Sequence, residues 1–168
     1  MSNVLVTGGS GYAGSHLVAA LLKAGHNVTT LSRGQINTTH LGSVTVLNAD
    51  LADPDALARV DAPQAVDVVY HLVSAFVEAP GKSLTVTATD NLLRYYAGTP
   101  LKQLIYFSNT CVYGDTRGRI ASESDVPRPN TAHGHHKLQA EKLVQASGHP
   151  YTILRGSQCY GCSLPGVT

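Results

Sequence analysis

The stretch VLVTGGSGYAGSHL, Val4 to Leu17, decides the fold. It opens as a short β-branched run, passes through a glycine cluster and leaves as the amphipathic pattern AGSHLVAALLKAG. Gly9, Gly11 and Gly14 fit G-x-G-x-x-G, while Gly8, Gly11 and Gly14 also fit G-x-x-G-x-x-G. Either match gains its meaning from standing between a strand and a helix. Glycines at those points allow a tight turn, close approach of backbone to a pyrophosphate, and close helix–strand packing. The start of the helix then offers N–H groups and the positive end of its dipole to phosphate. Gly8, Gly11, Tyr12, Ala13 and Gly14 are the expected dinucleotide contacts of this loop.

Beyond this stretch, short apolar runs alternate with helical patterns. NVTTL (Asn27–Leu31), SVTVLNAD (Ser43–Asp50), VDVVYHL (Val66–Leu72), QLIYFSN (Gln103–Asn109) and YTILRG (Tyr151–Gly156) read as strands. A short helix is expected near Asp53, with Asp53 as cap and Pro54 as its first residue. Two longer helices are expected, one closed by Gly98 and Pro100 and one by Gly148 and Pro150. Strands alternating with helices predict an α/β fold. Its form is a doubly wound parallel sheet of about six strands, with helices on both faces, in one domain over residues 1–168.

Composition narrows the function. Hydrophobic content is 43% and charged content 14%, so the chain is a folded domain rather than a disordered one. Lys plus Arg number 12 against 11 Asp plus Glu, which gives no basic footprint for nucleic acid or a membrane surface. No apolar run approaches a membrane span and no leader pattern precedes Val4. Three cysteines make no disulfide framework, so a reducing, cytoplasmic setting is expected.

The second strand ends in Ser32 and Arg33, 18 and 19 residues beyond Gly14, where a ribose-binding acid would stand. With no carboxylate there, Arg33 can pair with a 2′-phosphate and Ser32 can hydrogen-bond to it, which favours NADP over NAD. Asp50 and Leu51 follow the third strand and are expected beside the adenine, or equally as a capping turn with a buried Leu.

Taken together, VTGGSGYAGSHL, ADL (Ala49–Leu51), VYHLVSA (Val69–Ala75), FSNTCVYGD (Phe107–Asp115), HGHHKLQAEKL and ILRGSQCYG (Ile153–Gly161) resemble the extended short-chain dehydrogenase/reductases of the NAD(P)-dependent sugar epimerase/dehydratase type. The order and spacing match from Asn3 to about Cys162. The resemblance implies transient hydride transfer with a nucleotide sugar or similar hydroxyl substrate. It also implies Val73 and Ser74 near the cofactor, and dimerisation through helices 83–98 and 131–147, where Leu92, Leu93, Tyr95, Tyr96, Leu138 and Leu143 supply apolar surface.

Family members use a Tyr as acid/base, a Lys four residues later, a Ser or Thr that orients the substrate oxygen, and a supporting Asn. The four-residue spacing places Tyr and Lys on one helix face. Here Lys137 matches the Lys, but His133 stands at the Tyr position, Asn109 at the Ser/Thr position and Thr85 at that of the Asn. His titrates near ~6.5 and is poised for proton transfer without the help a Tyr needs. Thr110 or Ser108 can supply the hydroxyl that Asn109 lacks. The expected catalytic set is therefore His133, Lys137, Asn109 and Thr110, with Lys137 also on the cofactor. The same substitutions admit a non-catalytic dinucleotide-binding or sensing module, or an interaction subunit that keeps the fold. The family's smaller C-terminal substrate part is expected to be absent, because the chain stops at SLPGVT. No metal site is assigned. CYGC (Cys159–Cys162) with Cys111 is a weak set, and independent small or buried cysteines account for it. His16, His26, His40, His71, His135 and His149 receive no role.

Overall fold

A computed structural model describes residues 1–33, 43–75 and 83–162. His40 and the terminal SLPGVT fall outside the described residues. Six strands form one parallel sheet in the order β3-β2-β1-β4-β5-β6. They are β1 (Asn3–Thr7), β2 (Asn27–Ser32), β3 (Thr45–Asn48), β4 (Val68–His71), β5 (Gln103–Asn109) and β6 (Tyr151–Gly156). Helices α1 (Tyr12–Lys23), α2 (Ala56–Arg59), α3 (Leu84–Tyr95) and α4 (Ala132–Ala146) connect them, with a 3-10 turn at Thr110–Tyr113. This is the doubly wound arrangement.

Side-chain alternation along the strands separates two cores. Val4, Val6 and Val28 face α1 and meet Val18 and Leu21. Leu5, Leu31, Val69 and Leu104 face the other way and pack with Leu57 of α2, Leu92 of α3 and Val144 of α4. Helices thus lie on both faces, though unevenly. β6 ends the described sheet with Tyr151 and Leu154 exposed. No described helix is long and apolar enough to cross a membrane.

Side chains cap α3 and α4 at their starts. The Ser83 side chain accepts the Val86 N–H, and that of Thr131 accepts the Gly134 N–H. α2 departs from expectation. It starts at Ala56 behind Asp55, not at Pro54 behind Asp53. The Asp53 carboxylate instead accepts the Asp55 N–H and pairs with Arg59, so a turn at Asp50–Asp53 precedes the helix.

Candidate functional site

In this strand order the connections diverge between β1 and β4, and a crevice opens at the carboxyl ends of the strands. β1 ends at Thr7 and the chain turns through Gly8 at φ +75°. The Gly8 N–H donates to the Leu31 carbonyl at 2.9 Å, and the Gly11 N–H donates to the Gly8 carbonyl at 3.0 Å. A Cβ on Gly14 would lie 2.2 Å from the Gly8 oxygen, and one on Gly9 would lie 1.8 Å from Thr30 Oγ1. The loop is drawn too tightly for side chains at either place. Gly11 is the N-cap of α1, and no side chain caps that helix. Its first turn opens on a cavity of ≈ 210 Å³ lined by Gly8, Gly11, Tyr12, Ala13 and Gly14.

The opposite wall of this cavity includes Ser74, Ser108, Asn109, His133 and Lys137. The loop and most of the expected acid/base set are therefore brought to one place. Lys137 is buried, donates from Nζ to the Phe107 carbonyl at 2.7 Å, and lies 5.0 Å from the centre of the Tyr106 ring. One turn earlier, His133 Nδ1 is 3.1 Å from the Ala75 carbonyl oxygen. A carbonyl only accepts, so Nδ1 carries hydrogen and Nε2 is the basic nitrogen of the neutral ring. α4 reaches this position because Gly134 packs on the 3-10 turn, where a Cβ would lie 2.7 Å from the Cys111 oxygen.

Thr110, also expected in the catalytic set, opens the 3-10 turn, is exposed, and lines a separate cavity beside Tyr151 and Leu154. Asn109 does line the shared cavity, and its Oδ1 accepts the Cys111 N–H at 2.8 Å to cap the turn. Buried Ser108 also lines the wall, and its hydroxyl donates to Glu141 Oε1 at 2.5 Å.

Ser32, Arg33, Asp50, Leu51 and Val73 do not line this cavity. Ser32 is buried at the end of β2, and Arg33 beside it is exposed. Asp50 is exposed, and its Oδ1 accepts the Ala52 N–H at 2.9 Å. Leu51 is buried in the core and its carbonyl accepts from Asn91 Nδ2 at 2.8 Å. The backbone at Val73 runs against Gly8, whose Cβ would come 3.2 Å from the Val73 nitrogen.

Two polar groups beside the site have no role in the sequence reading. Arg155 of β6 grips Glu141 of α4 with both ends of its fork, Nε to Oε1 at 3.0 Å and Nη2 to Oε2 at 2.8 Å. Its Nη1 donates to the Tyr113 hydroxyl at 2.8 Å. The Glu141 carboxylate holds the guanidinium pKa above its ordinary value. The available signal was spacing, since Glu141 lies four residues after Lys137 and so faces the same interior. The second group is His71, buried between Thr7 Oγ1 at 2.7 Å from Nδ1 and Thr89 Oγ1 at 3.0 Å from Nε2. Burial, helped by the Lys137 cation, pushes its pKa down to about 3. Its signal was a lone His inside a β-branched strand.

Among the described residues no group of three His, Cys, Asp or Glu side chains could hold a metal. All three cysteines are free; Cys111 is half-buried, whereas Cys159 and Cys162 are exposed rather than buried.

The UDP-glucose 4-epimerase of Halalkalibacterium halodurans is 32% identical to this chain over 175 residues, covering 97% of the chain and 52% of the relative. The UDP-glucose 4-epimerase of Lactobacillus helveticus is 30% identical, covering 97% of the chain and 53% of the relative. The crystal structure of UDP-glucuronic acid 4-epimerase from Bacillus cereus in complex with NAD superposes with a TM-score of 0.82. It is 27% identical, with 95% of this chain and 57% of that one covered. The chain thus spans about half the length of these relatives. The model of the NAD dependent epimerase/dehydratase family matches residues 4–166, and with the glycine loop and sheet order described above, the chain belongs to that family.

Proposed function

We propose that the chain, as one domain over residues 1–168, binds a nicotinamide dinucleotide along the Gly8–Gly14 loop and moves a proton at a substrate hydroxyl through His133. The observation that carries this reading is the cavity shared by that loop, Lys137 and His133. The loop fits a pyrophosphate, because α1 begins without a side-chain cap and Gly14 leaves no room for a Cβ. Bound there, a nicotinamide would accept and return a hydride. The chain's own residues supply the proton chemistry. Neutral His133 accepts the hydroxyl proton at Nε2 and returns it, while Nδ1–H stays on Ala75. Lys137, anchored on the Phe107 carbonyl, holds a positive charge in the cavity wall and is the residue we assign to the nicotinamide ribose. Asn109 uses its Oδ1 as a cap, which leaves its NH₂ as the donor to a substrate oxygen.

The family relatives named above act on UDP-sugars, and a nucleotide sugar or similar hydroxyl compound is the substrate class we infer. Exposed Arg33 at the end of β2, where the sequence Ser32–Arg33 carries no carboxylate, supports NADP over NAD. Pairing of two copies through residues 83–98 and 131–147 is part of the same reading. Half-buried Leu93, Tyr95, Leu138 and Leu143 on those helices support it, and sedimentation of the purified chain as a monomer would remove it.

A second reading is a non-catalytic dinucleotide-binding module, favoured by the use of Asn109 as a cap. Titration with NADP and NAD, followed by turnover on nucleotide sugars, separates the two. We expect binding of both cofactors with NADP tighter, and turnover that falls by ~10²–10⁴ in H133A while cofactor affinity holds. Binding without turnover, unchanged in H133A, leaves the second reading. Absence of binding defeats both.

A further inference from the structure

A phenol has one titrating oxygen. An imidazole has two nitrogens, and it accepts a proton at one only if its hydrogen sits on the other. With His133 as the acid/base of the proposed reaction, something must choose between them.

The connection begins at Thr85, buried on α3. Its Oγ1 accepts the Ala75 N–H at 3.3 Å, and the Ala75 carbonyl in turn lies 3.1 Å from His133 Nδ1. A single residue after β4 is therefore bonded at one end to α3 and at the other to α4. The same turn of α3 fixes a second imidazole in the opposite sense. The Thr89 hydroxyl donates its one hydrogen to the Thr85 carbonyl at 2.7 Å. Its contact with His71 Nε2 at 3.0 Å is then a bond in which the ring donates. His71 Nδ1 is left as acceptor for the Thr7 hydroxyl at 2.7 Å. The fold thus places hydrogen on Nε2 of His71 and on Nδ1 of His133.

We propose that Thr85 is a positioning residue which, through Ala75, holds the neutral His133 ring as its Nδ1–H tautomer and so makes Nε2 the proton-transferring atom. This rests on the reading of His133 as acid/base, but the tautomer exists without cofactor or substrate and is read separately from activity.

The test is long-range ¹H–¹⁵N NMR of histidine-labelled protein, at a pH where both rings are neutral. Wild type should show His133 as Nδ1–H, with His71 as Nε2–H serving as an internal reference. T85V removes the acceptor and keeps the side-chain shape. In it His133 should move toward the Nε2–H form and turnover should fall about tenfold, the equivalent of one net hydrogen bond. Cofactor affinity should hold, and T85S should restore both tautomer and rate. If T85V also loses the His71 signature, its fold is disturbed and T85C, with a weakly accepting thiol, takes its place. A wild-type His133 found as Nε2–H overturns the proposal, as does Nδ1–H persisting in a folded variant without the Thr85 hydroxyl. The expected tautomers without turnover in wild type would defeat the catalytic reading and leave the positioning intact.

Discussion

At Gly14 the absence of a side chain is a steric requirement. An alanine Cβ would lie 2.2 Å from the Gly8 oxygen and 2.8 Å from Gly9 Cα, and both are backbone atoms that cannot swing aside. G14A should cost about 1–3 kcal/mol in urea unfolding and weaken dinucleotide binding in the same protein, because the displaced segment is the phosphate loop. His71 sets a different single-residue effect. Burial first, and the Lys137 cation second, lower its pKa from 6.5 to about 3. The unfolded chain therefore takes up a proton that the folded chain refuses. The resulting stability is complete above the unfolded value. It is lost as pH falls from there toward the folded one, by up to ~1.4 kcal/mol per pH unit. Urea midpoints measured across that window should fall with pH, and the His71 ring signals should stay those of a neutral imidazole throughout the folded range.

Among the elements, α4 joins the chemistry to the sheet. Its inward face carries Gly134, Lys137, Glu141 and Val144, each buried, at helical spacing. Gly134 lets the helix start press on the 3-10 turn, Lys137 reaches the Phe107 carbonyl of β5, and Glu141 joins Ser108 of β5 to Arg155 of β6. Removing one partner of a buried ion pair leaves the other uncompensated. E141Q should cost about 3 kcal/mol, toward the lower end for such pairs because Arg155 keeps 20% side-chain exposure. S108A should cost less, near the ~1 kcal/mol of one hydrogen bond. Thermal unfolding of the two variants orders them, and an equal loss would mean that the carboxylate is not held chiefly by Arg155. At the start of the helix, T131A removes the oxygen that accepts the Gly134 N–H at 3.1 Å, and should cost about 1 kcal/mol. The same substitution loosens the turn that holds His133, so it should lower turnover more than it lowers cofactor affinity.

Over the whole molecule, charge is nearly balanced, with Lys plus Arg 12 against Asp plus Glu 11, so no general field draws an anion to the crevice. A preference for a 2′-phosphate is then expected from local contacts at the end of β2, where Arg33 stands. R33A should reduce the ratio of NADP to NAD affinity by about tenfold, as expected for loss of one charge-assisted hydrogen bond. NADP affinity in wild type should fall more steeply with salt than NAD affinity, and equal slopes in a salt titration would remove Arg33 from cofactor choice. The strands, the long helices and the glycine loop were legible in the sequence because each is a local pattern. β-branched runs, helical spacing closed by Gly and Pro, and glycine where backbone must approach backbone all act within a few residues. The start of α2 was not, because Asp53 turned to Arg59 and the Asp55 N–H in place of capping. Nor were the different surroundings of Ser108 and Thr110, the one bonded to Glu141 and the other exposed on a 3-10 turn just past β5. The sequence by itself determined a doubly wound sheet with a phosphate loop at its switch point, since alternation, periodicity and steric room are properties of neighbouring residues. Only the tertiary structure decided that Ala75 bridges Thr85 to His133, that Glu141 meets Arg155, and that His71 stays neutral. Those contacts join segments far apart in the chain, and burial fixes their hydrogen positions and charges once the sheet and helices have packed.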